Sequence, residues 1–216
     1  MTLTLLHTSA VHIPVFEALR AAHHPGLALR HVVREELLVR AGVEGPEAVA
    51  DELRGLLEEA ARDGADAVLC TCSTIGGVAE GLAGTVGVPV LRVDRPMAAR
   101  AVAAGSRITV VATVRSTLEP TVALVEAEAD RAGRPVDVRT VFVDGAWERF
   151  LAGDRDGYLD LVAAALDGIA DADAIVLAQA SLTDAADRTG TSIPVLSSPR
   201  PGLDAAAAEY ANARQA

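Results

Sequence analysis

The sequence predicts an α/β protein of two pseudo-symmetric lobes, each a parallel four-stranded sheet flanked by helices. Short apolar, β-branched runs alternate with longer segments of helical periodicity, which is typical of β–α–β crossovers. Motifs of the first half recur in the same order in the second half. Half of the 216 residues are hydrophobic and 23% are charged, so the chain has enough apolar content for a buried core.

Four strands and three helices are predicted in the first half. The predicted strands are Leu3–Leu6, Leu27–Val33, Ala67–Thr71 and Val88–Val93, and the predicted helices are His12–Ala22, Pro46–Arg62 and Ile75–Ala83. In the second of these helices, Pro46 suits the first turn, where a missing N–H costs nothing. Leu53 and Leu57 lie on one apolar stripe of that helix, as a helix packed on a sheet requires.

Four sequence matches define the repeat. ADAVL at 65–69 corresponds to ADAIV at 172–176, VPVL at 88–91 to IPVL at 193–196, RP at 95–96 to RP at 200–201, and LTLL at 3–6 to ITVV at 108–111. The separation is 107 residues for the first match and 105 for the other three. We therefore expect lobes at 1–104 and 105–216. A last helix from Pro201 to Arg214 is expected to close the second lobe, with packing on the first lobe as the alternative.

Charge and composition exclude several classes of protein. The net charge of −11 disfavours binding to nucleic acid or to an anionic membrane. No apolar run approaches the roughly 20 residues that span a bilayer, and the N-terminus lacks the pattern of a signal peptide. Cys70 and Cys72 are too close in sequence for an unstrained disulfide, and free thiols fit a reducing compartment. These features predict a cytoplasmic protein.

Hydroxyl-bearing segments follow the predicted strands. In open parallel sheets, ligands bind beyond the carboxyl ends of the strands, so a two-lobed protein is expected to bind its ligand in the cleft between the lobes. Hydroxyls and helix-start N–H groups there are the chemistry of a carboxylate pocket. The candidate substrate-binding residues are His7, Thr8, Ser9, Ser73, Thr74, Thr113, Ser116, Thr117, Ala180 and Ser181. Ser116 and Glu119 also fit a capping box at a helix start.

Cys72 is the candidate catalytic residue. It lies where the third strand ends and a helix begins, and the positive end of a helix dipole favours the thiolate. Cys70 has the same side-chain parity but lies deeper in the strand, which predicts a core residue. An ordinary buried cysteine is the alternative for Cys72, and its position at the predicted strand end favours the functional interpretation.

The segment ADAVLCTCSTI at 65–75 resembles the first cysteine motif of the aspartate/glutamate racemase superfamily, and AIVLAQASL at 174–182 resembles the second motif in its hydantoin-racemase branch. The resemblance covers nearly the whole chain, including the duplication. It implies a cofactor-independent racemase-like isomerase of amino-acid metabolism, in which two thiols flank the α-carbon of a small acid. It also implies that the segments at 6–9 and 112–117 bind the carboxylate.

The second family cysteine falls on Gln179, so the predicted catalytic positions are Cys72 and Gln179. An amide does not transfer protons near neutral pH, although it can donate a hydrogen bond to an anion. Three interpretations stay open. Cys72 acts alone, as in the one-cysteine arylmalonate decarboxylase of the same superfamily; or a second base lies elsewhere, with His7, His12 and Asp184 as candidates; or the chain is a non-catalytic carboxylate-binding relative.

No cofactor is expected. The glycines match neither a dinucleotide nor a P-loop signature, and two cysteines without a neighbouring histidine make a poor zinc site. The expected partner is a small carboxylate or amino-acid-like substrate. The Ala- and Leu-rich helices are compatible with a homodimer.

Overall fold

The computed structural model describes residues 2–213, with side chains for residues 2–209. Within them the chain forms two compact units, one of residues 2–94 with 199–213 and one of residues 95–198. Each unit contains one parallel sheet of four strands flanked by helices, which confirms the predicted fold class. The division differs from the expected boundary at residue 105, because the helix Arg95–Ala104 packs within the second unit and the C-terminal helix Pro199–Ala213 within the first.

The first unit has the strand order β2-β1-β3-β4. Its strands are β1 (Thr2–His7), β2 (Ala28–Val33), β3 (Ala67–Cys70) and β4 (Val90–Arg92). Every residue of β3 is buried, as expected for a central parallel strand that is covered on both faces. Leu6 pairs with Cys70, which brings the carboxyl ends of β1 and β3 together.

Helices cover both faces of this sheet. They are α1 (Ile13–His23), α2 (Glu35–Glu44), α3 (Ala50–Arg62), α4 (Ser73–Gly81), α5 (Ala83–Val86) and the C-terminal helix. The residues 46–49, expected in the first turn of α3, form a separate 3-10 turn. Helix α2 is not among the helices predicted from the sequence. Its first turn carries two acidic residues at the positive end of the helix dipole, and its Leu37 and Ala41 are buried.

Apolar side chains fill the two faces of the first sheet. On one face, Leu53 and Leu57 of α3 pack in a cluster with Val68 and Ile75. On the other face, Leu5 of β1 packs in a cluster that includes Leu203 of the C-terminal helix. Truncating one such fully buried leucine to alanine costs about 2–5 kcal/mol of unfolding free energy.

The second unit has the equivalent strand order, β6-β5-β7-β8. Its strands are β5 (Arg107–Ala112), β6 (Asp137–Phe142), β7 (Ala174–Leu177) and β8 (Val195–Leu196), and its helices are α6 (Arg95–Ala104), α7 (Leu118–Ala132), α8 (Ala146–Leu151) and α9 (Arg155–Asp167). A 3-10 segment, Ala180–Asp187, takes the place that α4 has in the first unit. Val111 pairs with Leu177 as Leu6 pairs with Cys70, so the sequence repeat is a repeat of sheet topology.

The C-terminal helix, α10 (Pro199–Ala213), lies close to the end of β4. A Cβ atom at Gly202 would stand 2.4 Å from the carbonyl oxygen of Val93, a distance that no side chain tolerates. Glycine is therefore required at residue 202 for this approach. Arg214, the predicted end of this helix, lies outside the described residues. Across residues 2–213, none of the helices combines the length and the apolar character that crossing a bilayer requires.

Candidate functional site

Cys72 lies two residues beyond the end of β3 and directly before the first residue of α4. Its backbone is extended, with φ −106° and ψ 119°. The side chain packs beside Ile75 in an apolar cluster and retains 9% of its exposure. Within residues 2–213 its thiol makes no hydrogen bond. The sulfur therefore stands at a strand end, held by apolar contacts alone.

Thr8 and Cys72 occupy matching places on neighbouring strands. Leu6 pairs with Cys70, and each of the two candidate residues follows two positions later. Adjacent strands are about 4.8 Å apart, so both side chains belong to the same edge of the sheet. Among the described residues, the hydroxyls of Thr8 and Ser9 make no hydrogen bond, so both are available to a ligand.

The N-terminus of α4 begins beside the cysteine. Ser73 and Thr74 are both buried in its first turn. The first N–H groups of any helix have no partner within the helix, and the dipole makes this end positive. Such an end is suited to an anion, which is the property that a carboxylate pocket requires.

Cys70 has a structural role, as its predicted place in the core indicates. It has no exposed surface, and its thiol donates a weak hydrogen bond to the carbonyl oxygen of Cys72, with 3.8 Å between sulfur and oxygen. Burial, together with the neighbouring Cys72 thiol, raises the pKa of Cys70 far above that of a free cysteine. Cys70 therefore stays a neutral thiol and supports the backbone of Cys72.

A buried ion pair beneath α4 was missed by sequence reasoning. The Arg92 guanidinium donates two hydrogen bonds to Asp94, at 2.7 and 3.0 Å, and both side chains are buried. Cβ atoms at Gly76 and Gly77 would lie 3.2 and 3.3 Å from Arg92, so these glycines let the helix rest on the guanidinium. The only sequence signal is a charged pair two residues apart in an apolar strand.

The His7 ring lies in the interior of the first unit. It has no exposed surface, and both ring nitrogens are hydrogen-bonded, Nδ1 to Thr71 Oγ1 at 2.8 Å and Nε2 to His31 Nδ1 at 2.9 Å. Burial, with smaller contributions from the charges of His31 and His12, lowers the pKa of His7 from 6.5 to about 3. A contact of His7 with substrate, or its use as a second base, stays a prediction, and in this structure both ring nitrogens are bonded to other side chains.

Gln179 occupies in the second unit the place that Cys72 has in the first. It lies two residues after β7, in extended conformation, directly before a helical segment. Its Oε1 accepts hydrogen bonds from the N–H groups of Thr113 and Val114, at 2.8 and 3.1 Å, and from the Thr113 hydroxyl at 3.1 Å. The amide oxygen thus accepts the N–H groups at the start of the loop after β5.

Tyr158 is also absent from the candidate residues that the sequence predicts. It is buried in α9, and its hydroxyl is 2.8 Å from Ser181 Oγ and 3.4 Å from Thr113 Oγ1. Burial raises the pKa of the tyrosine, which keeps the hydroxyl protonated. Tyr158 therefore ties together two of the predicted site residues, which follow β5 and β7.

Ser116 and Thr117 lie directly before α7, and the capping box of Ser116 and Glu119 stays a prediction. The residue at the N-cap position of α7 is Thr117, whose hydroxyl donates to the carbonyl oxygen of Val114 at 2.7 Å. Thr117 is buried and Ser116 lies on the 3-10 turn before α7. Ala180 begins the 3-10 segment after Gln179. The hydroxyl of Thr117 thus stabilises the loop before α7.

A family model described as Asp/Glu/Hydantoin racemase matches residues 8–211. The chain belongs to the Asp/Glu/hydantoin racemase family. The match spans almost all of the chain and includes both Cys72 and Gln179, which confirms the resemblance seen in the sequence.

Solved structures of racemases and of a decarboxylase share the fold of this racemase-family chain. A glutamate racemase from Bacillus anthracis has 15% identity and a TM-score of 0.74, over 98% of this chain and 82% of that chain. An allantoin racemase from Pseudomonas fluorescens has 22% identity and a TM-score of 0.60, over 96% and 90%. An arylmalonate decarboxylase has 18% identity and a TM-score of 0.61, over 97% and 92%. No curated protein matches the sequence.

His12 and Asp184, the other two candidates for a second base in this racemase-family chain, have surroundings that differ from those of Cys72. His12 is half-buried, and burial lowers its pKa. Asp184 is exposed and forms an ion pair with Arg155. Neither side chain has the strand-end position that Cys72 has. Among residues 2–213, no group of three or more His, Cys, Asp or Glu side chains is arranged to hold a metal ion.

Proposed function

We propose that this chain is a cofactor-independent enzyme that adds or removes a proton at the carbon next to the carboxylate of a small acid, with Cys72 as the acid–base group. The position of Cys72 carries the proposal: a thiol without a hydrogen bond in residues 2–213, at a strand end and directly before a helix. Membership of a family described as Asp/Glu/Hydantoin racemase supports it.

The surroundings of Cys72 suit this chemistry. A proton next to a carboxylate leaves only if the negative charge that builds up on the carboxylate is stabilised. The N-terminus of α4 and the hydroxyls of Thr8 and Ser9 offer donors for that charge. A thiolate accepts the proton, and the resulting thiol can return one.

The proposed substrate is a small carboxylate of amino-acid type. Since the chain carries a net charge of −11, attraction of an anion depends on local donors, and Ser73 and Thr74 lie where α4 supplies them. In the second unit, Ser116, Ala180 and Ser181 remain proposed ligand contacts. The two free thiols suit a reducing compartment, so we place the enzyme in the cytoplasm.

Gln179 favours a second candidate reaction, the loss of CO2 from a malonate-type acid. Its amide does not titrate near neutral pH and so cannot act as the acid or base, and its oxygen accepts hydrogen bonds from three donors. Decarboxylation leaves a carbanion that needs one proton on one face. A single thiol meets that requirement, whereas inversion of a stereocentre needs a base on one face and an acid on the other.

Exchange in D2O tests the proposal. Aspartate, glutamate, a hydantoin and an arylmalonate are incubated with the protein, and deuterium at the α-carbon is followed by NMR. Cys72→Ala is expected to lower the rate of exchange or of CO2 release by about 10²–10⁴-fold. Cys70→Ala is the matched control, because it removes a thiol two residues away and should keep most of the rate.

The products separate the two reactions. Deuterium in both enantiomers indicates a racemase, whereas CO2 release with deuterium in one enantiomer indicates a decarboxylase. The proposal fails if none of the acids reacts while calorimetry detects tight binding, because the chain is then a carboxylate-binding relative. It also fails if Cys72→Ala keeps the wild-type rate.

A further inference from the structure

Four side chains form a hydrogen-bonded chain that leads from the surface to the residue before Cys72. Glu17 Oε1 lies 3.1 Å from His31 Nε2, His31 Nδ1 lies 2.9 Å from His7 Nε2, and His7 Nδ1 lies 2.8 Å from Thr71 Oγ1. The Glu17 side chain is 41% exposed and that of His31 15%, whereas His7 is fully buried. Water therefore has access to this series of hydrogen bonds at Glu17.

The heavy atoms allow two complete sets of hydrogen positions. With both histidines neutral, the Thr71 hydroxyl donates to His7 Nδ1, His7 Nε2–H donates to His31, and His31 Nε2–H donates to Glu17. With His31 protonated, its Nδ1–H donates to His7 Nε2, and His7 Nδ1–H donates to Thr71. The Thr71 hydroxyl then donates to the Leu6 carbonyl oxygen, 3.1 Å away.

The two sets differ by one proton, which comes from water. A hydronium ion gives up that proton and is left as water: at equilibrium His31 then carries an additional proton on Nδ1, and His7 carries its single proton on Nδ1 instead of Nε2. His7 itself stays neutral throughout, since burial holds its pKa near 3. The added charge therefore resides on His31, beside the Glu17 carboxylate.

We propose that Glu17, His31 and His7 are positioning residues that switch the Thr71 hydroxyl between His7 and the Leu6 carbonyl when His31 takes up a proton. The Leu6 oxygen already accepts the Thr71 N–H at 3.0 Å, so the switch adds or removes its second hydrogen bond. This changes the bonding between the ends of β1 and β3, one residue before Cys72. The proposal is independent of the reaction proposed above.

The charged side chains near this series of hydrogen bonds either pair with another side chain or lie next to one of its members. Arg20 of α1 pairs with Glu17 at 2.8 Å, and His12 faces His7 from the 3-10 turn before α1. Helix α10 packs against α1. Its Asp204 is hydrogen-bonded to His24, and the Nε of Arg200 lies 3.9 Å from the Asp204 carboxylate. At the end of β2, Arg34 lies 3.9 Å from Glu36.

Nitrogen NMR of the histidine rings in the full chain tests the switch. At about pH 8 His7 should carry its proton on Nε2, and at about pH 5, where histidines commonly gain charge, it should carry it on Nδ1. His31→Gln should make the His7 tautomer independent of pH. Glu17→Gln should require more acid for the same change, because the carboxylate that stabilises the cation is lost.

An unchanged His7 tautomer while His31 gains its proton overturns the proposal, and so does a His31 that stays neutral down to about pH 5. The wild-type titration alone decides between these outcomes, so the test survives if His31→Gln does not fold. Thr71→Ser keeps the hydroxyl and should keep the tautomer change, which a merely structural role of these rings does not require.

Discussion

Cys72 and Gln179 hold equivalent positions in the two sheets, but their side chains are bonded differently. Each lies two residues beyond the central strand, is extended, and precedes a helical segment. The Cys72 thiol makes no hydrogen bond in residues 2–213, whereas Gln179 Oε1 accepts three. The duplication has thus kept the backbone of both positions, and only one of them has a group that titrates.

Replacing Gln179 is expected to destabilise the second unit. Gln179→Met keeps the size of the side chain but leaves the N–H groups of Thr113 and Val114 without their acceptor. Losing acceptors for buried donors costs about 1–3 kcal/mol each, so the urea midpoint should fall clearly. Gln179→Glu retains an oxygen acceptor and should stay close to wild type at neutral pH. Equal stability of the Met and wild-type proteins would contradict the anchoring role.

The two cysteines are expected to differ in reactivity. Cys70 is fully buried and its pKa is raised by burial, whereas Cys72 keeps some exposure. Native protein treated with iodoacetamide should therefore carry one label, at Cys72, as peptide mass spectrometry will reveal. In Cys72→Ala the native protein should stay unlabelled until urea unfolds it. Labelling of Cys70 ahead of Cys72 would refute this order.

The predictable part of the fold is the part that repeats in the sequence. The apolar runs before Cys72 and Gln179 match each other at a separation of 107 residues, and three further matches at 105 residues complete the repeat that predicted two similar parallel sheets. Strand ends follow from those runs, so the position of Cys72 directly before a helix was predictable as well. Local patterns suffice here because the central strands, β1, β3, β5 and β7, are buried on both faces.

Contacts between distant segments were not predictable. Tyr158 meets Thr113 across 45 residues, and His7 meets His31 across 24, and no periodicity encodes either pair. The burial of His7 depends on α1 covering that face of the sheet. The hydroxyl of Thr117 donates to the Val114 carbonyl oxygen, a contact that the pattern of a helix start does not encode. Polar networks of this kind depend on tertiary packing.

Gly202→Ala is expected to destabilise the first unit. Its Cβ would lie 2.4 Å from the Val93 carbonyl oxygen and 2.9 Å from Val93 Cα, so α10 would have to move away from the sheet. Overpacking of this kind costs about 1–3 kcal/mol in the unfolding free energy.

The matched control for Gly202→Ala is Gly42→Ala in α2, where a Cβ meets nothing within 4 Å. That substitution should stabilise the protein by about 0.5–1 kcal/mol, because alanine favours the helix. Thermal denaturation of both variants compares them, and a harmless Gly202→Ala would disprove the close approach.

His7 makes stability depend on pH in a direction that follows from its lowered pKa. The pKa is 6.5 in the unfolded chain and about 3 in the folded one, so below 6.5 the unfolded state binds the extra proton. This contribution is fully present above pH 6.5 and is lost as the pH falls toward 3, at about 1.4 kcal/mol per pH unit. His7→Gln lacks the titrating ring. Urea unfolding at a series of pH values should therefore give a shallower acid slope for the variant, and parallel slopes would show that His7 is not held neutral.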